Sequence, residues 1–448
     1  MGRKSHAQAL SIWANGERVG VWRIPARGPA ELQYDEGWVA SDLGRPLSLS
    51  LAFGALGVPL RGEPVQNYFD NLLPDHKEIR ARIASKFKVD SDDPFELLKA
   101  IGRDCVGAIQ LLAEDEEPGN VRTIQGTPMS DADIARLLRQ TVSTRPAGAG
   151  DEDEVDDLRI SLAGAQEKTA LLLHNGQWLK PRGATPTTHI LKLPLGLIGN
   201  GRVDMRTSVE NEWLCSKVLE AFGLPVAHTE IRTFGDQKVL SVQRFDRRLS
   251  PDGRWYFRLP QEDFCQALGL PPRLKYEADG GPGMESISRI LRGSEYAQGD
   301  VGLFLTAQIL FWLLAATDGH AKNFSIHLEA RGAYRMTPLY DVLSILPNVG
   351  NAPNQFNWHK AKLAMAAKGK NRHYLLKDIQ RRHFNAMAPA CGFFPNAEPI
   401  LETIFARTPG VIENVRAMVP KDFPGHVAEA ILRGLRRSVE ALQAMPRD

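Results

Sequence analysis

The stretch ATDGHAKNFSI (residues 316–326) follows the mostly apolar segment VGLFLTAQILFWLLA (301–315). The apolar segment is too short to span a bilayer and predicts a buried helix. Gly319 is a natural place for that helix to stop. Four polar, chemically capable side chains nevertheless fall within six positions: Asp318, His320, Lys322 and Asn323. Such a cluster at the end of a buried helix predicts a functional site.

The spacing of Asp318 and Asn323 favours phosphoryl transfer. Protein kinases place a catalytic Asp and a metal-binding Asn five residues apart, because a short loop must return an amide oxygen to Mg²⁺ beside the carboxylate that receives or orients the acceptor proton. Lys322, inside this loop, could neutralise charge on the transferred phosphoryl group. Asp341 follows a predicted hairpin, where a second metal-binding Asp would lie. A carboxylate in that apolar stretch is costly to bury unless it is paired or metal-bound.

Residues upstream complete the set in the order that a kinase requires. Lys192 lies in the alternating strand THILKLPL (188–195), and the helix that follows carries Glu210 and Glu212, of which we prefer Glu212 as the ion-pair partner of Lys192. ISLAGAQEKTALLL (160–173) reads as strand, Gly-containing turn and strand, where a phosphate-covering loop would lie. It is neither a Walker A loop nor G-x-G-x-x-G.

Each element alone has a simpler interpretation. Asp-Gly usually marks a turn, and a strand lysine can protect a sheet edge. A metal hydrolase built on His320 is disfavoured, because no second His has suitable spacing. The ordered set, rather than any one residue, favours the kinase-like interpretation.

Composition is that of a globular protein of two or three domains, with 448 residues, 43% hydrophobic residues and a net charge of +2. The balanced charge disfavours a strongly basic nucleic-acid binder, and we interpret basic runs such as KDIQRRH (377–383) as solvated helix faces. The four cysteines contain no CxxC pair, so a zinc site is not expected. The N-terminus lacks a signal-like apolar region, which together with the short apolar run predicts a cytoplasmic protein without membrane contact.

The order of patterns predicts three parts. Alternating residues around Asn15-Gly16 and in PLSLSLAF (46–53) indicate strands of a mixed α/β domain, which we place at residues 1–150. The block PAGAGDEDEVDDL (146–158) predicts a linker or solvated loop. A β-rich small lobe with one helix should occupy 158–260, and a mostly helical large lobe 261–448.

Ten blocks, in this order, resemble the HipA family of bacterial serine/threonine kinase toxins: PLSLSL, NYFDNLLPD, IGRDCVGA, ISLAGAQEKTALL, PTTHILKLP, QRFDRR, LPQEDFCQALGLP, KYEADGGPG, ATDGHAKNFS and PLYDVLS. The blocks lie between residues 46 and 344, and the resemblance as a whole runs from about residue 10 to past residue 430. The resemblance implies an α+β, protein-kinase-like bilobal fold with an N-terminal α/β extension.

The resemblance also implies roles for particular residues, with ATP and Mg²⁺ as cofactors. Asp318 matches the catalytic Asp, Asn323 and Asp341 match the metal ligands, Lys192 matches the ATP-contacting Lys, and Ser161 matches an autophosphorylated loop serine. Further ATP contacts are expected from Ala163, Gly164, Ala165, Gln166, Lys168, Gln243, Phe245 and His320. Gln243 stands at the expected hinge where the family has an acidic residue, so a side-chain contact to adenine or ribose is in doubt there.

As function, the resemblance implies the toxin of a toxin–antitoxin pair that phosphorylates glutamyl-tRNA synthetase and so causes growth arrest and persistence. The implied partner is a HipB-like helix-turn-helix antitoxin dimer, with operator DNA bound, and the operon co-repressed, only through the complex. Two alternatives stay open: a catalytically silent corepressor bound to the antitoxin, and a small-molecule kinase of the same architecture.

Overall fold

A computed structural model of the chain describes residues 8–142, 160–164, 166–198 and 203–447. These residues form an N-terminal domain, a small lobe built on one antiparallel sheet, and a large, mainly helical lobe. Within the described ranges, no helix combines the length and the apolar character that a membrane crossing requires. The predicted linker at 146–158 lies outside the described residues.

The N-terminal domain is a five-stranded antiparallel sheet packed against helices. Its sheet order is β4-β3-β2-β1-β5. In chain order its elements are β1 (Gln8–Ala14), β2 (Glu17–Ile24), β3 (Glu31–Tyr34), α1 (Glu36–Ala40), β4 (Leu60–Arg61), α2 (Glu63–Asp70), α3 (Lys77–Lys86), α4 (Pro94–Ile101) and β5 (Ile109–Ala113). The β1–β2 turn is the one predicted, because Asn15 and Gly16 both take positive φ angles, 50° and 90°. Its apolar core, from Leu10 to Leu111, is separate from those of the lobes.

The segment PLSLSLAF does not form the strand that its alternation predicts. Leu49–Leu51 is instead one turn of 3₁₀ helix. The Ser48 hydroxyl accepts a hydrogen bond from the Ser50 amide, and the Glu262 carboxylate of the large lobe accepts one from the Leu49 amide. Side chains thus satisfy backbone groups that a sheet would have used, which serine readily allows.

The small lobe begins earlier in the chain than predicted. Its sheet order is β12-β13-β9-β7-β8-β6, all antiparallel. Its elements are β6 (Gly126–Pro128), α5 (Asp131–Val142), β7 (Lys168–His174), β8 (Gln177–Pro181), β9 (His189–Lys192), β10 (Gly196–Ile198), β11 (Val203–Met205), α6 (Ser208–Ala221), β12 (Thr229–Phe234) and β13 (Gln237–Gln243).

Residues 126–142 therefore belong to the small lobe, although the predicted boundary at 150 placed them in the first domain. Ile134 and Leu138 of α5 pack in one apolar cluster with Leu171, Leu191 and other sheet residues. Because α5 buries its apolar face on the small-lobe sheet, the division between the first two parts lies between β5 and β6.

The large lobe is mainly helical, with short strand pairs at its junction with the small lobe. Its elements are β14 (Arg247–Leu249), β15 (Tyr256–Arg258), β16 (Gln261–Asp263), α7 (Phe264–Ala267), α8 (Met284–Leu291), α9 (Ala297–Leu313), β17 (Ser325–Leu328), β18 (Tyr334–Met336), β19 (Lys362–Lys368), β20 (Arg372–Leu375), α10 (Arg381–Ala390), α11 (Glu398–Met418) and α12 (Gly425–Ala444). One apolar core joins these helices to α6, so the two lobes share packing.

The buried helix predicted before the polar cluster is α9, but it ends before Gly319. Ala315, with φ of 49°, takes the left-handed conformation that closes the helix. Gly319 is needed for another reason, since a Cβ atom there would lie 2.4 Å from the Phe311 ring.

Glu262 gives the contact between the N-terminal domain and the large lobe a pH dependence. Burial raises the pKa of Glu262 to about 8, from an ordinary value of 4.5. The folded protein thus keeps a proton that the unfolded chain loses. Stability should therefore fall as pH rises from about 4.5 to about 8, by up to about 1.4 kcal/mol per pH unit from this group. Glu262→Gln should remove that part of the slope in urea unfolding curves measured across this range.

The control is Glu117→Gln, which changes an exposed carboxylate in the same way. This variant should keep the wild-type slope. Equal slopes for all three proteins would show that Glu262 does not carry the effect.

Candidate active site

Lys192 lies at the centre of a buried charge cluster. It is the last residue of β9, and its Nζ donates to Glu212 Oε1 on α6 at 2.6 Å and to Asp341 Oδ1 at 2.6 Å. The strand and the helix thus present the two groups that the sequence paired, and the large lobe adds the third. Glu210, the other carboxylate considered, pairs with Lys238 instead.

The charges of this cluster are mutually dependent. Burial alone would lower the pKa of Lys192, but Asp341 and Glu212 outweigh it and raise the pKa. Burial raises the pKa of Glu212 to about 7, against the opposing effect of Lys192. Asp341 would also be raised by burial, yet Lys192 and Lys168 lower its pKa to about 2. A single ammonium therefore serves two carboxylates, of which Asp341 holds its charge more firmly.

Asp341 has a backbone conformation that L residues seldom adopt. Its φ is 62°, in the left-handed region that costs roughly 1–2 kcal/mol for a residue with a Cβ atom. Leu339, two residues earlier, is fixed by donating its amide to Pro225 O at 2.8 Å. Strain of this kind persists where surrounding structure imposes it and is concentrated at functional sites.

The catalytic-loop candidate, residues 318–323, is held by hydrogen bonds at both ends. Asp318 Oδ1 accepts from the Tyr276 hydroxyl at 2.6 Å. Asn323 Nδ2 donates to the Asp318 carbonyl at 2.8 Å, so the amide oxygen, the atom able to bind a metal ion, is the free end of that side chain. The Ala321 amide donates to Lys275 O at 3.2 Å. The loop is thus closed on itself and attached to residues 275 and 276.

Lys322 has an anchoring contact that the sequence did not predict. Its Nζ donates to the Asn71 carbonyl at 3.1 Å and to Asn71 Oδ1 at 2.9 Å, and forms ion pairs with Asp75 at 3.2 Å and Asp263 at 3.7 Å. Asn71 and Asp75 belong to the N-terminal domain. The cation that we expected to face only the transferred phosphoryl group is therefore held by another domain.

The segment that should cover the phosphates also docks on the N-terminal domain. Ser161 is fully buried and its hydroxyl donates to Leu72 O at 2.7 Å. The Gly164 carbonyl accepts from the Asp75 amide at 3.1 Å. Lys168 Nζ donates to Ala163 O at 2.7 Å. It lies so near Gly164 that a Cβ atom on residue 164 would be 2.6 Å from the Lys168 Nζ.

Two more residues of this segment were expected to contact ATP. Gln166 donates its side-chain amide to Leu193 O. Ala165 lies outside the described residues. Burial and then the nearby Lys192 charge lower the pKa of Lys168 to about 8, which makes this amine responsive to an added anion.

His320 carries a buried polar atom, Nδ1, that no described residue satisfies. The residue is buried, and its Nδ1 has no hydrogen-bond partner within the described ranges. Burial lowers the pKa of its imidazole to about 4, so the ring is neutral near pH 7. A bound polar group in the cavity would satisfy this nitrogen.

One cavity collects most of the residues that the sequence singled out. It is lined by Ala163, Gly164, Lys168, Lys192, Gln243, Phe245, Asp318, His320, Lys322, Asn323 and Asp341, together with residues that the sequence did not assign. Gln243 ends β13 with an exposed side chain and its amide bonded to His228 O, while half-buried Phe245 packs on Tyr340. Ser161, Gln166 and Glu212 do not line the cavity and would act through neighbours.

The residues that sequence reasoning missed are Asn71, Asp75, Lys275 and Tyr276, all of which line the cavity or contact Asp318. Two of the ten blocks, NYFDNLLPD and KYEADGGPG, contain them. Nothing in these blocks, read alone, predicts that they meet the D-x4-N loop. Asn71 and Asp75 precede Asp318 by more than 240 residues, and Lys275 and Tyr276 precede it by more than 40.

The site combines a strand lysine paired with a helix glutamate, a D-x4-N loop and a later aspartate, and it lies at the junction of a β-rich lobe and a helical lobe. This combination defines a protein-kinase-like phosphotransferase. Model matches refine this class. The HipA-like C-terminal domain model matches residues 160–412, and the HipA N-terminal domain model matches residues 10–112. The chain belongs to the HipA family of kinases.

Individual relatives agree with this assignment. The chain is 38% identical over 346 residues to the putative kinase Y4mE of Sinorhizobium fredii, covering 75% of this chain and 77% of the relative. It is 28% identical over 327 residues to the serine/threonine-protein kinase toxin HipA of Shewanella oneidensis, covering 70% of each.

The fold agrees with a solved structure of HipA with HipB and operator DNA from Shewanella oneidensis, with a TM-score of 0.76, 22% identity and 97% coverage of each chain. The predicted α+β, kinase-like fold is thereby confirmed.

Proposed function

We propose that this protein is a Mg²⁺–ATP-dependent serine/threonine protein kinase that acts as the toxin of a toxin–antitoxin pair. The observation that supports this most directly is the meeting of Lys192, Asp341, Asn323 and Asp318 in one cavity, with Lys192 held by Glu212. Such a set serves to orient phosphates, hold a metal ion and receive a proton, which are the tasks of phosphoryl transfer.

The residues present fit Mg²⁺–ATP. Asp341 and Asn323 offer the hard oxygen donors that Mg²⁺ prefers, and a kinase-type site completes the shell with nucleotide phosphate oxygens and water. His320, whose buried Nδ1 has no hydrogen-bond partner among the described residues, lines the same cavity. When bound, Mg²⁺ would neutralise charge on the transferred phosphoryl group.

In the proposed reaction, a serine or threonine hydroxyl of the acceptor protein takes the place of the Tyr276 hydroxyl beside Asp318. Asp318 orients this hydroxyl and receives its proton as oxygen attacks phosphorus. Lys192 orients the nucleotide phosphates, and its bond to Glu212 prevents it from turning away. Lys168, paired directly opposite Lys192 on the neighbouring strand β7, adds positive charge where the leaving group gains negative charge.

The family resemblance proposes glutamyl-tRNA synthetase as the acceptor, with growth arrest as the outcome. By the same reasoning, a HipB-like antitoxin dimer is the proposed partner, and operator DNA is contacted within the toxin–antitoxin complex. The fold-level likeness to the HipA–HipB–operator complex supports this proposal.

The test is incubation of purified protein with labelled ATP, Mg²⁺ and either glutamyl-tRNA synthetase or cytosolic extract, with Asp318→Asn as the blank. Label on a protein serine or threonine is expected. Label on a metabolite alone would favour a small-molecule kinase, and ATP binding without any transfer would favour a silent corepressor.

Asp341→Asn keeps one oxygen donor but removes its charge, so it should weaken Mg²⁺-dependent nucleotide binding by roughly 10–100-fold. Calorimetric titration with ATP in Mg²⁺ and then in EDTA measures the difference. In EDTA the affinity should change less than in Mg²⁺, because only the contact of Asp341 with Lys192, and no metal ligand, is then at stake. Asp115→Asn, an exposed change in the turn after β5, is the control. Equal Mg²⁺ dependence in all proteins would reject the ligand role of Asp341.

We also propose that autophosphorylation at Ser161 inactivates the kinase. The Ser161 hydroxyl is buried against Leu72 O, a place with no room for a phosphate. A phosphorylated Ser161 must therefore leave the N-terminal domain, and the Gly164–Asp75 bond leaves with it.

The phosphorylated protein should consequently bind ATP at least about tenfold more weakly, the size of one lost charge-assisted contact. Mass spectrometry during incubation with Mg²⁺–ATP, read beside ATP affinity, tests this, and Ser161→Ala should stay active throughout. Full modification with unchanged affinity, or loss of activity without modification, would contradict the proposal.

A further inference from the structure

Asp75 of the N-terminal domain occupies a position that the proposed reaction does not yet use. It lies in the cavity wall, and its side chain is 11% exposed. Its carboxylate contacts Lys275 Nζ at 2.7 Å and Lys322 Nζ at 3.2 Å. Its backbone amide donates to Gly164 O. One residue thus touches the covering segment, the catalytic loop and the segment that carries Tyr276.

We propose that Asp75 is a positioning residue for phosphoryl transfer, which fixes the catalytic loop from another domain by holding Lys322 and Lys275. The inference rests on the proposed kinase function. It makes the N-terminal domain part of the catalytic apparatus, in addition to any role in partner binding.

The first support is the connection from each lysine to the loop. Lys322 is itself a loop residue, between Asp318 and Asn323. Lys275 accepts the Ala321 amide at its carbonyl, and its neighbour Tyr276 donates to Asp318. The Asp75 carboxylate therefore holds the loop in two ways: through Lys322, which is part of the loop, and through Lys275, which bonds the loop from a neighbouring segment.

The second support is charge. Lys322 is buried, with 3% of its side chain exposed, so its ammonium requires a nearby anion. Asp75 is nearer to it than Asp263, at 3.2 Å against 3.7 Å. Burial would raise the pKa of Asp75, but Lys322 and Lys275 lower it well below its ordinary range, so the carboxylate is charged. Without it, Asp263, at 3.7 Å, would be the carboxylate left beside the Lys322 ammonium, and Lys322 would shift together with the loop that carries it.

A role in position rather than in binding predicts a particular kinetic result. Asp75→Asn is nearly isosteric and should lower kcat by about ten- to a hundredfold, the cost of misplacing reacting groups by about 1 Å. KM for ATP should change by less than about threefold, since Lys192 and Asp341 lie outside the catalytic loop. Asp75→Glu keeps the charge and should recover part of kcat.

Asp70→Asn is the matched control. Asp70 lies five residues earlier, in the same domain, and its carboxylate pairs with Arg80 at 2.7 Å, away from the catalytic loop. The chemical change is identical, so a general weakening of the N-terminal domain would affect both variants. Asp70→Asn should keep kcat and KM within about twofold, the range of a weak surface pair.

Hydrogen exchange of the amides in residues 317–325 provides a readout that does not depend on activity. Asp75→Asn should exchange faster there than wild type or Asp70→Asn. Unchanged exchange in the loop, unchanged kcat, or an equal loss in Asp70→Asn would each overturn the inference. If Asp75→Asn does not fold, Asp75→Glu decides by the same two measurements. Absence of phosphoryl transfer in the wild type would instead reject the proposed function and leave the exchange test in force.

Discussion

Asp318→Asn is expected to fold, to bind nucleotide, and to lose phosphoryl transfer by about a hundred- to ten-thousandfold, the usual contribution of a positioned general base. The amide matches the carboxylate in shape, and its oxygen can still accept the Tyr276 hydroxyl that lies 2.6 Å from Asp318. It cannot take up the proton of an acceptor hydroxyl. Steady-state transfer of labelled phosphate, measured beside ATP affinity, separates these two effects.

The outcome that would contradict this role is turnover within a few-fold of wild type. Asp252→Asn serves as control, because Asp252 is an exposed turn residue of the β14–β15 hairpin, bonded to Arg254. This control should retain full activity. If both variants lost activity together, the cause would be general damage rather than loss of the base.

Much of the candidate site could be predicted because its parts are local in sequence. The spacing of Asp318 and Asn323 is set by one short loop, and the structure closes that loop with the Asn323–Asp318 hydrogen bond. Lys192 could be recognised as a charged residue in an apolar, alternating strand, where a buried ammonium requires a charged partner. Hairpin turns that need positive φ angles at both central residues favour Asn-Gly, so these pairs can be read directly from the sequence.

The rest depends on contacts between distant segments. Asp75 could not be chosen from the other aspartates, since its importance comes from Lys322, more than 240 residues later. PLSLSLAF reads as a strand because its pattern alternates, yet Ser48 and Glu262 take the backbone amides. The boundary near 126 was missed because β6 is only three residues long and gives no periodic signal.

A buried charge cluster joins the N-terminal domain to the segment that follows β13. Arg244 directly follows β13, Arg247 begins β14, and Arg258 ends β15. All three contact Asp104 of the N-terminal domain, and Asp246 is the second carboxylate. Three buried cations thus share two buried anions. Burial, together with Arg247 and Arg244, lowers the pKa of Arg258 to about 10, although Asp104 opposes this effect.

Asp104→Asn should therefore destabilise the protein by about 3–5 kcal/mol, the cost of removing one partner from a buried ion pair. The amide oxygen can still accept from the Thr187 amide and hydroxyl, now 3.0 and 2.7 Å from Asp104 Oδ2. The amide nitrogen would then face Arg247, which now donates to Asp104 Oδ1 at 2.8 Å, so the loss combines the missing charge with one missing hydrogen bond. Asp70→Asn, which weakens a partly exposed pair, should lose no more than about 1 kcal/mol. Urea unfolding followed by tryptophan fluorescence measures both, with Trp22 buried in the N-terminal domain as one probe. Equal small losses would mean that the remaining anion, Asp246, suffices for all three arginines. A large loss for Asp104→Asn alone would show that Asp104 holds the N-terminal domain to the segment that follows β13, and that this segment depends on a domain outside the two lobes.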